Sequence, residues 1–246
     1  MRNFEQETIE PSTLVVLDMD RTLLKSNRFV DVVFDSLRMV NSEKTSVIDR
    51  VQREERANRG AAYDYLAALE QGGLQIDGTM LASEILQNAE STEGLAEDLL
   101  APDAIAAIDE INRRKNLSAI IMTAGGRETQ ALKIEVVNGL IAELSQSKSA
   151  LPAVVVDDSV VKAAIVGELF DGESGDFSIE KLVDQQAKMF SDIDGATYGA
   201  IEHVIVIDDK PKNVESRDER VRGVVVSPLE TSERPDDALL KAIFAI

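Results

Sequence analysis

The chain has 246 residues, 44% of them hydrophobic, and its 45 acidic and 26 basic residues give a formal net charge of −19. This length fits one large domain or a domain with an insertion, and its apolar content is enough for a substantial core. So acidic a surface repels the phosphates of nucleic acids and anionic lipids, and we expect neither a nucleic-acid nor a membrane partner. The absence of cysteine excludes disulfides, thiolate catalysis and zinc sites with cysteine ligands.

The N-terminal segment, MRNFEQETIEPS, is polar and acidic and lacks the apolar stretch of a signal peptide. No apolar run in the sequence approaches the ~18 residues that cross a membrane. We therefore expect a soluble, cytoplasmic protein. The sequence leaves the oligomeric state open.

Five short apolar runs, rich in β-branched residues, alternate with helical patterns along most of the chain. Because they do not alternate with polar residues, they are typical of strands covered on both faces in a parallel sheet. The predicted strands are residues 13–19, 118–123, 153–158, 203–209 and 223–228, and the predicted helices between them are residues 102–116, 127–144 and 178–190. This alternation predicts an α/β fold with a Rossmann-like open parallel sheet.

The interval between the first and second predicted strands is too long for a simple crossover. Between about residues 25 and 100 the pattern predicts helices and no strand, with the clearest helical stretches at 29–40, 61–70 and 80–90. A right-handed crossover between parallel strands needs only one helix, so this interval is an insertion. We predict an α/β core of residues 1–25 and 100–246 and a helical cap domain of residues 26–99.

Polar side chains stand where three of the predicted strands end. Asp18 and Asp20 end the first strand, Thr123 ends the second, and Asp208 and Asp209 end the fourth. Ligands of open α/β sheets bind at the carboxyl ends of the strands. Four carboxylates in one crevice repel one another unless a cation lies among them, and Mg²⁺ takes oxygen ligands together with substrate phosphate. The pattern therefore indicates phosphoryl chemistry.

Three segments resemble motifs of the haloacid dehalogenase (HAD) superfamily and occur in that family's order. DMDRT resembles the first motif, IIMTAGG the second, and VIVIDDKPKNV the fourth. The resemblance covers about residues 13–25 and 102–227. The helical insertion also matches a position at which this family carries a cap.

The resemblance implies a Mg²⁺-dependent phosphohydrolase that acts on a small phosphorylated metabolite through an aspartyl-phosphate. Asp18 would be the nucleophile, and Asp20 would be the general acid and then the general base. Asp18, the backbone carbonyl of Asp20 and Asp208 would hold Mg²⁺. Asp209 would contact the ion through water.

The resemblance also implies a phosphate site and an active-site lysine. The hydroxyl of Thr123 and the backbone N–H of Ala124 would bind the phosphate. Lys162, Lys181 and Lys188 are the candidates for the lysine that neutralises nucleophile and phosphate. We favour Lys181, because it falls in the first turn of a predicted helix. A cation there is unfavourable to the helix dipole, so a functional reason for the lysine is expected. Lys188 is expected on the surface of the same helix.

Two departures from the family pattern are evident. Arg21 occupies a position where many members have glycine, so the turn after the nucleophile is expected to differ. The third motif has no clear signature.

Asp157 and Asp158 imitate the fourth motif, but we predict that they end a strand outside the site. A phosphomutase of the same fold and a non-catalytic HAD-like scaffold that binds Mg²⁺ and phosphate remain as alternatives.

Overall fold

A single sheet organises the computed structural model of the protein, which describes residues 12–58, 63–157, 160–171, 176–178, 189–191, 201–229 and 234–244. The strands in these residues are β1 (Thr13–Leu17), β2 (Leu117–Ala124), β3 (Ala153–Val156), β4 (Met189–Ser191), β5 (His203–Asp208) and β6 (Val221–Val225). Their order in the sheet is β4-β3-β2-β1-β5-β6. β1, β2, β3, β5 and β6 are parallel, and β4 runs antiparallel to β3 at the edge.

The described residues also form nine α-helices and two short 3-10 helices. The α-helices are α1 (Ser26–Val40), α2 (Thr45–Ala57), α3 (Tyr65–Gln71), α4 (Gly78–Ser91), α5 (Leu95–Leu99), α6 (Ala104–Arg113), α7 (Arg127–Leu144), α8 (Lys162–Glu168) and α9 (Ala238–Phe244), and the 3-10 helices are Ser42–Lys44 and Pro211–Val214. Five parallel strands with helices packed around the sheet confirm the predicted α/β, Rossmann-like fold. Within the described part of 26–99 the chain has helices and no strand. The division into a core and a cap domain at these boundaries stays a prediction.

Apolar side chains cover both faces of the sheet, as the continuous apolar runs of the sequence predict. Along β1, Val15 and Leu17 belong to a large cluster shared with the helices of the insertion. The alternate residues Leu14 and Val16 belong to a second cluster on the opposite face, which includes Val166 of α8. The insertion therefore packs its apolar surface against the same face of the sheet as α6 and α7.

One predicted helix is wrong where the structure describes it. The pattern predicted a helix over 178–190, but Met189 and Phe190 belong to β4, where the backbone pairs with Val155 and Val154 of β3. Without this pairing the edge of β3 would expose its backbone donors and acceptors, so an antiparallel strand is the more favourable state for this short segment. Residues 179–188, the rest of the predicted helix, lie outside the described residues.

The strand order brings the polar strand ends to one place. β1 lies between β2 and β5, and Leu17 of β1 is level with Ile121 of β2 and Ile207 of β5. From β1 the chain crosses to β2 on one side, and β5 returns on the other side. This is the kind of switch point at which open α/β sheets bind ligands. The residues that follow Leu17 and Ile207 therefore meet at this edge.

Gly223 fixes the distance between β6 and the 3-10 helix that follows the aspartates of β5. A Cβ atom on Gly223 would overlap the carbonyl oxygen of Val214. We expect Gly223→Ala to lower the free energy of unfolding by about 3 kcal/mol, because backbone must move to admit the methyl group. Urea denaturation measures this change.

Gly78→Ala is the matched control, since a Cβ there would meet no atom within 4 Å. It should change the unfolding free energy by less than about 1 kcal/mol. Equal stability of the Gly223→Ala and Gly78→Ala proteins would contradict the close packing of β6 on Val214.

Candidate active site

Asp18 is the first residue after β1, and only 6% of its surface is exposed. Its Oδ2 accepts a hydrogen bond from Thr22 Oγ1 at 2.9 Å, and its Oδ1 accepts one from Lys162 Nζ. The backbone N–H of Leu23 donates to the carbonyl of Met19 at 3.0 Å, which makes the tight turn that returns Thr22 to the carboxylate. Both oxygens of Asp18 are therefore held in a fixed orientation.

Lys162 is the lysine that the described structure brings to this carboxylate. It is the first residue of α8, its side chain is 2% exposed, and its Nζ also lies 2.8 Å from Asp208 Oδ2. Burial would lower the pKa of Lys162, but the charges and hydrogen bonds of Asp18 and Asp208 outweigh it and raise the pKa. The ammonium is therefore charged and lies between two buried carboxylates.

The other lysine candidates cannot be compared with Lys162 at this site. Lys181, which the sequence favoured, and Lys188 both lie outside the described residues. The reason given for Lys181, a cation opposing the dipole in the first turn of a helix, applies equally to Lys162 at the start of α8. Lys162 therefore meets the criterion by which Lys181 was favoured, and the choice of Lys181 stays a prediction that the described residues do not test.

Asp208 and Asp209 follow one another at the end of β5. Asp208 is fully buried, and it accepts hydrogen bonds from the backbone N–H of Lys210 at 2.8 Å and from Asn213 Nδ2 at 2.9 Å. Asp209 Oδ2 lies 2.6 Å from a terminal guanidinium nitrogen of Arg21. Burial raises the pKa of Asp209, and Arg21 partly opposes that increase.

The donor set at this edge fits a hard divalent cation. Asp18, Asp208 and Asp209 each offer a carboxylate oxygen, and these oxygens lie within 4.8 Å of one another. Burial raises the pKa of Asp18 to about 7; the attraction of Lys162 opposes the rise and the negative charge of Asp208 adds to it. Buried carboxylate oxygens with an excess of negative charge are what Mg²⁺ takes as ligands.

Asp20 has a set of partners of its own. It accepts hydrogen bonds from Ser26 Oγ at 2.6 Å, Lys133 Nζ at 2.6 Å and Gln130 Nε2 at 3.1 Å. Burial raises the pKa of Asp20, but the charge of Lys133 and the three hydrogen bonds outweigh burial and lower it to about 2. In this arrangement Asp20 is a carboxylate, and so a proton acceptor.

Thr123 and Asp20 are joined through Gln130. The hydroxyl of Thr123, buried near the end of β2, donates to Gln130 Oε1 at 3.0 Å, while Nε2 of the same amide donates to Asp20. Gly125 has a φ of 149°, and a Cβ there would come within 2.7 Å of Gln130 Nε2. The turn after Ala124 therefore needs glycine both for its backbone conformation and for the approach of Gln130.

Sequence reasoning missed Gln130 and Lys133. Both lie on the buried face of α7, where Gln130, Lys133 and Val137 follow one another at helical spacing. A glutamine and a lysine on an otherwise apolar stripe are a signal that the sequence contained, because buried polar groups need partners. Asp157, by contrast, is exposed at the end of β3, and the carboxylate cluster does not include it.

Arg21 explains the departure from glycine after the second aspartate. Its φ is 62°, in the left-handed region that glycine adopts without strain, and its N–H donates to the carbonyl of Leu24 at 2.9 Å. The turn therefore keeps the conformation that a glycine would favour. The side chain of Arg21 forms the ion pair with Asp209.

The insertion contacts the turn that follows β2. Asp64 begins α3 as its N-cap, and its Oδ1 accepts from Thr129 Oγ1 at 2.8 Å as well as from the backbone of Ala67. Its Oδ2 accepts from the backbone N–H of Glu128 at 3.3 Å. A Cβ on Gly126 would overlap the Asp64 carboxylate. The insertion is thus fastened beside Thr123 and Gln130.

Fold and site together define an α/β protein with a buried acidic centre, neutralised by lysine, at the carboxyl edge of a parallel sheet. No protein-family profile and no curated protein matches the chain. Within the described residues, no helix has the length and apolar character needed to cross a membrane.

The chain shows a distant likeness to several solved structures. A haloacid dehalogenase-like hydrolase of Burkholderia xenovorans shares 16% identity over 92% of this chain and 90% of its own, with a TM-score of 0.44. The Legionella pneumophila effector Ceg4 shares 12% identity over 94% of each chain, with a TM-score of 0.41. The HAD-hydrolase YfnB of Bacillus subtilis, bound to magnesium, shares 14% identity over 96% of this chain and 100% of its own, with a TM-score of 0.40. At sequence identities and TM-scores this low, the functional roles of residues in this chain have to be argued from the chain's own side chains.

Arg21→Gly and Arg21→Ala remove the same ion pair, but only glycine relaxes the left-handed backbone. We expect the glycine variant to be the more stable of the two by about 1 kcal/mol. Thermal or urea unfolding of the two proteins measures the difference.

Arg28 provides the control, because it lies in α1 with an exposed ion pair to Asp98. There the order should reverse, with Arg28→Ala more stable than Arg28→Gly by about 1 kcal/mol. If Arg21→Ala were also more stable than Arg21→Gly, the left-handed backbone conformation assigned to residue 21 would be wrong.

Proposed function

We propose that the protein is a Mg²⁺-dependent phosphohydrolase of the HAD type, which acts on a small phosphorylated metabolite through an aspartyl-phosphate. The observation that carries the proposal is the buried Asp18, bound by Lys162 and within metal-binding distance of Asp208 and Asp209. A structural ion pair alone would not require a third buried carboxylate beside it. A charged phosphoryl group and its metal ion would complete this set.

Asp18 is the nucleophile in this proposal. Thr22 and Lys162 hold its two oxygens, so the carboxylate is oriented before substrate binds. One oxygen attacks phosphorus, the bond to the leaving oxygen breaks, and an aspartyl-phosphate forms. Lys162 reduces the repulsion between the carboxylate and the incoming phosphate because its ammonium lies against Asp18.

The metal site would be built from Asp18, Asp208 and the backbone carbonyl of Asp20, with Asp209 acting through water. When bound, Mg²⁺ would supply positive charge to the phosphoryl oxygens. Thr123 and the N–H of Ala124 would bind the remaining phosphoryl oxygens. For this the hydroxyl of Thr123 must turn from Gln130 towards the phosphate, because the hydroxyl has only one proton to donate.

Asp20 is suited to the second half of the reaction. Held as a carboxylate by Lys133, it takes a proton from the water that hydrolyses the aspartyl-phosphate. In the first half Asp20 would pass a proton from the phosphate monoanion of the substrate to the leaving oxygen, and it would end that step as the carboxylate that Lys133 stabilises. We therefore assign to Lys133 and Gln130 the positioning of Asp20, and to Asp20 the movement of the proton.

Asp18→Asn is expected to lower the rate of phosphate release by about a thousandfold or more, because the amide is a poor nucleophile. Phosphate release from 4-nitrophenyl phosphate and from a panel of metabolite phosphates, with Mg²⁺, measures the rate. Asp157→Asn, which alters an exposed carboxylate at another strand end, should keep the wild-type rate. Activity that survives Asp18→Asn would exclude the proposed nucleophile.

Mg²⁺ is expected to raise the melting temperature of the protein, since an ion that binds only the folded state stabilises that state. At a hundredfold excess of Mg²⁺ over its dissociation constant, the gain in unfolding free energy is about 2.7 kcal/mol. Asp208→Asn should remove this increase, and Asp157→Asn should retain it. Thermal unfolding with and without Mg²⁺ gives the answer independently of activity. An equal increase in the Asp208→Asn protein would place the ion elsewhere.

A further inference from the structure

A buried hydroxyl in the insertion has no role in the chemistry described so far. Tyr65, the first residue of α3, is 1% exposed, and its hydroxyl has no hydrogen-bond partner among the residues that the structure describes. Burying an unpaired hydroxyl is costly, and such groups in folded proteins usually have a partner. A polar group of a bound substrate would give this hydroxyl a partner.

The residues on both sides of Tyr65 are hydrogen-bonded to the first turn of α7. The carboxylate of Asp64 accepts from Thr129 Oγ1 at 2.8 Å, and the N–H of Leu66 donates to the same hydroxyl oxygen at 3.4 Å. Thr129 directly precedes Gln130, the residue that binds Asp20 and Thr123. Tyr65 therefore lies on a segment fastened to the start of α7, next to Gln130, and close enough to Asp20 for that carboxylate to raise the pKa of its hydroxyl.

The ring of Tyr65 is also fixed. It packs against Phe34 of α1, with ring centroids 5.6 Å apart and an interplanar angle of 49°. Burial, followed by the charges of Asp20, Glu55 and Asp64, raises the pKa of Tyr65 well above its ordinary value. The phenol therefore stays protonated and can donate. The same three carboxylates disfavour an anionic substrate group beside it.

We propose that Tyr65 is a specificity-determining residue, whose hydroxyl donates a hydrogen bond to an uncharged hydroxyl on the leaving group of the phosphate monoester. This inference rests on the proposed phosphohydrolase function and names its substrate class, a polyol or sugar phosphate. A site with a buried, unpaired donor of this kind favours a substrate that brings the acceptor, because only that substrate gives the donor a hydrogen bond. Asp18 and Lys162 act on the phosphoryl group and are indifferent to this feature.

The test compares substrates that differ only in hydroxyl groups, namely glycerol 1-phosphate against propyl phosphate. Wild-type protein should have a kcat/KM at least about tenfold higher for glycerol 1-phosphate. Tyr65→Phe, which keeps the ring against Phe34, should bring this ratio close to one by lowering kcat/KM for glycerol 1-phosphate alone. Tyr63→Phe is the control, since the hydroxyl of Tyr63 already donates to Glu54 Oε2 at 2.7 Å, and its ratio should match the wild type.

Unfolding without substrate gives a second readout. Tyr65→Phe removes an unpaired buried hydroxyl, so its melting temperature should rise by about 2–4 °C. A merely structural hydroxyl would give the opposite sign, because its loss would break a bond in the free protein.

The outcomes separate the two proposals. If wild-type protein hydrolyses both esters and Tyr65→Phe leaves the ratio unchanged, or lowers the melting temperature, the role of Tyr65 is overturned while the proposed function stands. If wild-type protein releases no phosphate from any monoester with Mg²⁺ present, the proposed function is overturned, and the role of Tyr65 with it.

Discussion

The structure depends on burying two carboxylates at the ends of adjacent strands. An unpaired buried carboxylate is too costly to remain ionised, and two of them side by side are worse. The parallel register of β1 and β5 nevertheless brings Asp18 and Asp208 together, and the ammonium of Lys162 lies against both. The position at which α8 begins is therefore tied to this site. Removing Lys162 would leave charges that the surrounding apolar residues cannot solvate.

The remaining two carboxylates of the site also need a neutralising cation, and each has one of its own. Asp20 is paired with Lys133 and Asp209 with Arg21. The four carboxylates thus face three cations, which are Lys162, Lys133 and Arg21. A bound Mg²⁺ and a phosphate dianion would together add no net charge, so in the proposed function each would favour the binding of the other. The positive partners also fasten elements together, since Lys133 lies on α7 and Arg21 in the turn after β1.

The sequence predicted the fold well because each strand that is covered on both faces is a continuous apolar run, which can be recognised without knowing its neighbours. Continuous apolar runs located β1, β2, β3, β5 and β6 to within a few residues, and the carboxylates at their ends marked the edge that carries the candidate site. Partners supplied by distant segments were harder to predict. Lys133 lies 113 residues from Asp20, and Lys162 lies 144 residues from Asp18. The choice among the lysines depended on a helix over 178–190, whose last residues form an edge strand instead.

The most direct test of the account is whether a phosphoryl group is transferred to Asp18. Asp20→Asn protein, in which loss of the proposed base slows hydrolysis of the intermediate, is mixed with Mg²⁺ and a phosphate monoester, quenched in acid and digested for mass spectrometry. We expect the peptide containing Asp18 to gain the mass of one phosphoryl group, and the gain to disappear when Mg²⁺ is chelated. Phosphate release with no such gain, or with the phosphoryl group on another residue, would contradict the account.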